Sequence, residues 1–323
     1  MSNPLLAVED LSVAFGPKSN TVLPVDGVSF TVDTGQAVGI IGESGSGKSV
    51  TSLAILRLIP DPPGRIVGGR ISFAGTDLLS LPPDRMPDIR GRDIGMIFQE
   101  PMSSLNPVMT IGDQVAEAVV LHERVSARQA RALALGMLDL VGIPNPAERF
   151  HSYPHQFSGG MRQRVMIAIA LICRPKLVIA DEPTTALDVT IQAQVLALMN
   201  RIRSSLGTAI LIISHDFGVI AEVAEKVVVM YAGRIVEQGD VRSIFRHPGH
   251  PYTRALLQSI PRLDDDRRRL YQIPGSVPEP RARPAGCPFY PRCPDRLPIC
   301  ANAMPAMAPL GSSQSAACWA NAQ

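Results

Sequence analysis

Three stretches of this sequence hold residues whose types and spacing could do chemistry. The first, Gly42–Glu43–Ser44–Gly45–Ser46–Gly47–Lys48–Ser49, reads G-x-x-x-x-G-K-S. Glycines at these positions let the backbone curl until successive N–H groups hold phosphate oxygens. A following helix adds the positive end of its dipole. Lys48 then reaches the β- and γ-phosphates, and the Ser49 hydroxyl holds Mg²⁺. The candidate nucleotide contacts are Gly42, Ser44, Gly45, Ser46, Gly47, Lys48, Ser49 and Val50. The competing reading is a Gly/Ser turn with a solvated lysine. The second stretch, Leu177–Val178–Ile179–Ala180–Asp181–Glu182, ends an apolar run on two acids. Asp181 suits Mg²⁺, and Glu182 suits a general base that orients an attacking water; otherwise they are loop carboxylates or a helix cap. The third, Phe157–Ser158–Gly159–Gly160–Met161, opens a helix on Ser and two glycines, a second place for an anion.

Each stretch needs an element to aim it. Val38–Gly39–Ile40–Ile41 is apolar throughout, as a buried strand is, and Val50 to Leu56 reads as the helix behind the loop. Residues 5–41 are β-rich, with Val13 and Phe15, then Val28, Phe30 and Val32, alternating with polar or small residues. Asp33–Thr34–Gly35 is a turn and Pro60–Gly64 a break. Ile71 and Phe73 mark a strand, and Ile94–Phe98 another that ends at Gln99. From about residue 110 to 172 the period is helical. Ala130, Leu133, Met137, Leu140 and Val141 share a face, which Pro144 and Pro146 end. A second helix starts near Ser158. Strands at Leu177–Ala180, Ala209–Ile213 and Val227–Met230 alternate with a helix carrying Ile191, Val195, Leu198 and Ile202. That alternation implies a parallel sheet covered on both faces. Gly233 and Gly239 punctuate its end.

The 323 residues suffice for one large domain and an appendage. Hydrophobic residues are 46% and charged residues 19%, as in ordinary globular chains, and a net charge of +2 leaves no nucleic-acid footprint. The N-terminus has no basic segment before an apolar core, so no signal peptide is expected. The run Val165–Cys173 is far short of the ~20 residues that span a bilayer. The expected place is the cytoplasm, with any membrane association made through a partner. Beyond about residue 245 the composition changes. His247–Pro251 reads as a proline-rich hinge and Asp264–Arg269 as a solvated charge block. Residues 274–310 are rich in Pro. Cys287, Cys293, Cys300 and Cys318 are spaced C-x₅-C-x₆-C-x₁₇-C. Four cysteines in a short irregular tail suggest a metal staple. Zinc prefers closer pairs, four thiolates also hold an iron–sulfur cluster, and free or oxidised thiols are the third reading. Cys173 lies in an apolar helix and reads as core.

Residues 5–245 resemble the ATP-binding subunits of ABC transporters. Gly42–Ser49 match the Walker A motif, Gln99 the Q-loop and Ser158–Gly159–Gly160 the signature. Asp181 and Glu182 match Walker B and the catalytic glutamate, Ala186–Leu187–Asp188 the D-loop, and His215 the switch histidine. Phe15 stands where the family stacks an aromatic on adenine; a core Phe is the other reading. Phe98–Pro107, Pro154–Phe157 and His250–Pro251–Tyr252–Thr253 are similar to the bacterial dipeptide/oligopeptide importers, nearest to the first ATPase subunit of dipeptide importers. Met161 departs from the Gln found in many ABC signatures. The resemblance implies an α/β fold: a P-loop NTPase with an ABC ATPase core, made of a RecA-like parallel sheet and an antiparallel β subdomain. A helical signature subdomain, about residues 100–172, and a Cys/Pro-rich C-terminal extension complete it. The domains would be 1–245 and 246–323.

The resemblance further implies that ATP is sandwiched between this subunit and a second ATPase subunit, and that hydrolysis powers peptide import. Catalysis would fall to Glu182, His215, Lys48 and Gln99. Mg²⁺ would be held through Ser49, Gln99 and Asp181, and Ser158, Gly159, Gly160 and Asp188 would act on the partner's ATP. The other partners would be two transmembrane permease subunits and a periplasmic peptide-binding protein, with this chain peripheral on the cytoplasmic face of the inner membrane. A [4Fe–4S] cluster on Cys287, Cys293, Cys300 and Cys318 is the family's association, with Zn²⁺ as alternative. Nickel chelates, haem and amino-sugar compounds are alternative cargoes. A soluble ABC ATPase acting on ribosomes or DNA is disfavoured, because the chain has one cassette and no long heptad run.

Overall fold

The computed structural model describes residues 3–185, 187–260 and 271–321. Ala186 of the D-loop and the Asp264–Arg269 charge block lie outside the described residues. The chain divides into two units. One comprises Met1–Val32, Val38–Leu79 and Ser214–Gln323, the other Asp33–Ala37 and Ser80–Ile213.

In chain order the first unit opens with β1 (Leu6–Phe15), β2 (Val22–Val32), β3 (Ala37–Ile41), α1 (Lys48–Ile55), β4 (Gly64–Phe73) and β5 (Thr76–Asp77). The second unit holds β6 (Ile94–Ile97), α2 (Pro101–Ser104), α3 (Ile111–His122) and α4 (Ala127–Leu140). It continues through α5 (Pro146–Arg149), α6 (Gly159–Leu171), β7 (Leu177–Asp181), α7 (Val189–Leu206) and β8 (Ala209–Ser214). The chain then returns to the first unit with α8 (Phe217–Val223), β9 (Lys226–Tyr231), β10 (Arg234–Asp240), α9 (Val241–Arg246) and α10 (Pro251–Gln258). Two short strands, β11 (Ala308–Pro309) and β12 (Gln314–Ala316), come last.

In the first unit β1 lies between β2 and β4, with β5 at the edge, all antiparallel. Leu6, Val8, Leu11 and Val13 of β1 are buried. A fully buried residue of this kind contributes roughly 1.5–3 kcal/mol. In the same unit β3 runs parallel to β9, with Ile40 opposite Val228. Antiparallel β10, β12 and β11 follow outward from β9. In the second unit β7 is flanked by β6 and β8, all parallel, and Ile179 faces Met96 and Leu211. Every residue of β3, β7 and β8 is buried. Continuous apolar runs rather than alternation mark strands of this kind.

The helical stretch differs in detail from its sequence pattern. The buried face of α4 is Ala130, Ala134, Met137 and Leu138, while Leu133 is 44% exposed. A face one step round satisfies the same 3.6-residue period, so spacing alone does not choose between them. Nor do the prolines end this helix. The helix stops at Leu140, and Gly142 takes φ +79°, the left-handed conformation that glycine enters freely beyond a helix end. Pro146 instead occupies the first position of α5, where its missing N–H costs nothing. Gly239 lies inside β10 opposite Gln314 rather than at the end of the core.

Candidate functional site

The glycine loop is held entirely within the first unit. Strand β3 leads into Gly42, and α1 begins at Lys48. Gly47 caps α1 with φ +100° and offers no side-chain cap. The first N–H groups of a helix have no partner within it, and no side chain caps this end. A Cβ on Gly47 would collide with Pro24 O. Lys48, 6% exposed, folds back over the loop, its Nζ donating to Gly42 O at 2.6 Å and Glu43 O at 3.0 Å. The Ser46 hydroxyl is fully buried and has no hydrogen-bond partner among the described residues. Ser46 O accepts from Gly233 N–H at 2.9 Å, which ties the loop to the β9–β10 turn. Ser44 and Gly45 face solvent, and Ser49 and Val50 are half-buried. Phe15, at the end of β1, is half-buried beside Gly64.

The second unit gathers the acids. Asp181 ends β7 and is 6% exposed. Glu182 follows with φ +48°, its N–H donating to Ile213 O at 2.9 Å. A non-glycine residue in that region is strained by about 1–3 kcal/mol, a cost that concentrates at functional sites. Its Oε2 accepts from Gln99 Nε2 at 3.1 Å and from Thr185 Oγ1 at 2.9 Å. The expected Q-loop residue and the expected general base are thus brought into direct contact. Thr185 is an orienting group that the sequence reading missed; its place three residues after Glu182 was the available signal.

The remaining candidates sit at helix starts or strand ends. Ser158 caps α6, its Oγ accepting from Met161 N–H at 3.4 Å, and Ser158 and Gly159 are exposed. Gly160 is half-buried, with no room for a Cβ beside Ile191. Asp188 caps α7, accepting from Ile191 N–H at 2.9 Å. His215 follows β8 and is exposed.

In the C-terminal extension, Cys287, Cys293, Cys300 and Cys318 converge on one small cavity that His250, Phe289 and Trp319 also line. All five cysteines of the chain are free of disulfides. Burial pushes the Cys287 thiol up to about 11, with the neighbouring sulfurs adding to the rise. Burial raises Cys293 and Cys318 as well. Among the described residues, no three His, Cys, Asp or Glu side chains lie close enough together to hold a metal ion. Cys173 is buried, donates to Ala118 O at 3.5 Å, and fits the core reading.

One set of contacts had no sequence signal. Arg292 pairs with Glu43 of the glycine loop across 249 positions, and Glu43 N–H donates to Tyr252 Oη across 209.

Two family models match the chain: "ABC transporter" over residues 25–185, and "Oligopeptide/dipeptide transporter, C-terminal region" over residues 236–300. The probable peptide ABC transporter ATP-binding protein y4tR of Sinorhizobium fredii is 51% identical, over 98% of this chain and 96% of its own. The dipeptide transport ATP-binding protein DppD of Bacillus subtilis is 50% identical, over 98% and 94%. The oligopeptide transport ATP-binding protein OppD of Salmonella typhimurium is 49% identical, over 94% and 90%. Among solved structures, the dimeric ATP-binding cassette MJ0796 bound to ADP and Pi aligns with TM-score 0.66 and 25% identity. That alignment covers 73% of this chain and 99% of the cassette.

Proposed function

The chain belongs to the ATP-binding proteins of ABC transporters, and from that premise we propose that it hydrolyses ATP to drive the import of di- and oligopeptides. The observation that carries the reading is the loop Gly42–Ser49, set between a wholly buried strand and a helix whose first turn has no side-chain cap. Full-length likeness to peptide-transport ATP-binding proteins supports the cargo class.

On this reading Gly42, Ser44, Gly45, Ser46, Gly47 and Val50 wrap the phosphates, Lys48 bonds the β- and γ-oxygens, and Phe15 stacks on adenine. The orphaned Ser46 hydroxyl and the uncapped α1 fit a phosphate ligand. Mg²⁺, held by Ser49, Asp181 and Gln99, supplies charge neutralisation at the phosphates when bound. Glu182, oriented by Gln99 and Thr185, takes the proton of the attacking water. His215 contacts the γ-phosphate. Ser158, Gly159, Gly160 and Asp188 complete the ATP site of a second ATPase subunit in a head-to-tail pair. The assembly includes two membrane permeases and a periplasmic peptide-binding protein. Membrane attachment at the cytoplasmic face runs through the permeases; among the described residues no helix is long and apolar enough to cross a membrane. Residues 1–245 form the ATPase and 246–323 the extension. The spacing of Cys287, Cys293, Cys300 and Cys318 is what supports a [4Fe–4S] or Zn²⁺ staple, since their thiols line one cavity without forming a metal-holding group; iron, sulfide and zinc analysis of anaerobically purified protein tests it, and absence of all three rejects it.

The central experiment is Glu182→Gln in the assembled transporter. ATP binding is retained while turnover falls by about 100-fold or more, the usual weight of a general base. Undiminished turnover overturns the assignment.

A further inference from the structure

Glu43 is the one acid in the stretch Gly42–Ser49. It occupies a position where a carboxylate ought to harm function, since a triphosphate and an unpaired carboxylate repel each other in a partly buried site. The fold answers with a clamp from the C-terminal extension. Arg292 Nη1 meets Glu43 Oε2 at 2.7 Å and Nη2 meets Oε1 at 3.0 Å, a two-pronged fork. The arginine side chain is 5% exposed and the glutamate 29%. The other edges of the guanidinium are also engaged: Nε donates to Pro274 O at 2.8 Å, Nη2 to Ile273 O at 3.2 Å, and Nη1 to Tyr231 Oη at 3.3 Å. It therefore has a single seat.

The backbone of Glu43 is fixed as well. Its N–H donates to Tyr252 Oη at 2.8 Å, and its carbonyl accepts from Lys48 Nζ at 3.0 Å. Behind the clamp, Tyr231, Tyr252 and Phe289 pack ring against ring with centroids 4.5–5.4 Å apart. A continuous run of contacts thus leads from Arg292 through Glu43 to Lys48. We propose that Arg292 is a positioning residue of the nucleotide site: it neutralises the carboxylate of the phosphate loop and fixes the turn that aims Lys48. By this device the extension sets the affinity for ATP. The proposal rests on the reading of Gly42–Ser49 as the ATP-binding loop.

The test is the Kd for Mg-ATP of the full chain, with KM and kcat of the assembled transporter. Arg292→Gln strands the carboxylate, and ATP binding weakens about tenfold, read as a rise in both Kd and KM. Glu43→Gln combined with Arg292→Gln removes the stranded charge and restores Kd to within about threefold of wild type. Arg292→Lys, which keeps the charge and loses the fork, falls between. A merely structural tie would not be rescued by Glu43→Gln, so a double variant as weak as the single overturns the proposal. An Arg292→Gln chain that binds ATP like wild type overturns it too. If Arg292→Gln does not fold, Arg292→Lys decides: it keeps the charge, breaks the fork and raises Kd about threefold, and an unchanged Kd is the overturning result. Wild-type chain that binds no ATP is a different failure, that of the loop assignment itself.

Discussion

Gly47 has no spare room. Its φ of +100° lies where side chains are rarely tolerated, and a Cβ there would run into Pro24 O of β2. Gly47→Ala meets both obstacles. Backbone strain of this kind costs on the order of 1–3 kcal/mol, and the loop can relieve it only by moving the first turn of α1. The expected outcome is loss of measurable ATP binding with a lower unfolding midpoint, read by nucleotide titration and denaturant melts. An alanine chain that binds ATP normally would show that the loop closes in another conformation. The requirement was legible in the sequence, because the need for glycine is local: the loop, its strand and its helix are contiguous. The same holds for Asp181 and Glu182 at the end of an apolar run. It does not hold for Arg292, whose pairing with Glu43 depends on how a proline-rich tail returns to the first unit. Local spacing says nothing about such a return.

Helix starts carry a double load in this chain. Ser158 and Asp188, both expected to act on a partner's nucleotide, each cap the helix they precede. The two roles can be separated at Asp188. Its carboxylate accepts Ile191 N–H at 2.9 Å, and removing such a cap costs about 1 kcal/mol. Asp188→Ala is therefore expected to lower unfolding free energy by about that amount, whereas Asp188→Asn keeps the cap and the stability. If the charge serves a paired ATPase, Asp188→Asn loses ATP turnover in the assembled transporter with no change in its denaturation midpoint. Equal turnover for Asp188→Asn and wild type confines the residue to capping. Elements of this kind were partly legible. Apolar periodicity located α4 and α7, Ser158 with its glycines marked the start of α6, and continuous apolar runs marked the parallel strands; on α4 the expected face holds at Ala130, Met137 and Val141 but not at Leu133, because small Ala134 packs where the pattern favoured a large side chain. The sequence reading also credited prolines with a helix end that Gly142 makes.

At the scale of the whole chain, the composition change near residue 245 suggests a core with a detachable tail. The contacts within the first unit run the other way. Strand β12 pairs with β10 along the edge that β9 leaves open. Glu237 of β10 is fully buried and accepts from Gly249 N–H at 2.7 Å, His250 N–H at 2.9 Å and Gln314 Nε2 at 2.6 Å. The His247–Pro251 stretch, which reads as a hinge, is thereby pinned to the sheet. A chain ending at residue 245 would lose all three donors. Glu237 would lose three hydrogen bonds, each worth roughly 1 kcal/mol net, while the departing segment opens its carboxylate to water. Truncation would also expose the β10 edge, a template for pairing with other chains, and remove Arg292 and Tyr252 from the phosphate loop. The truncated chain is therefore expected to aggregate or melt well below the full chain. Where it stays in solution, its ATP affinity is expected to fall at least as far as that of Arg292→Gln. Size-exclusion chromatography, a thermal melt and an ATP titration on the two chains check this. A monodisperse truncated chain with an unchanged melting temperature and unchanged ATP affinity would make the extension an appendage after all. A fall in affinity beyond that of Arg292→Gln would make it part of the ATPase.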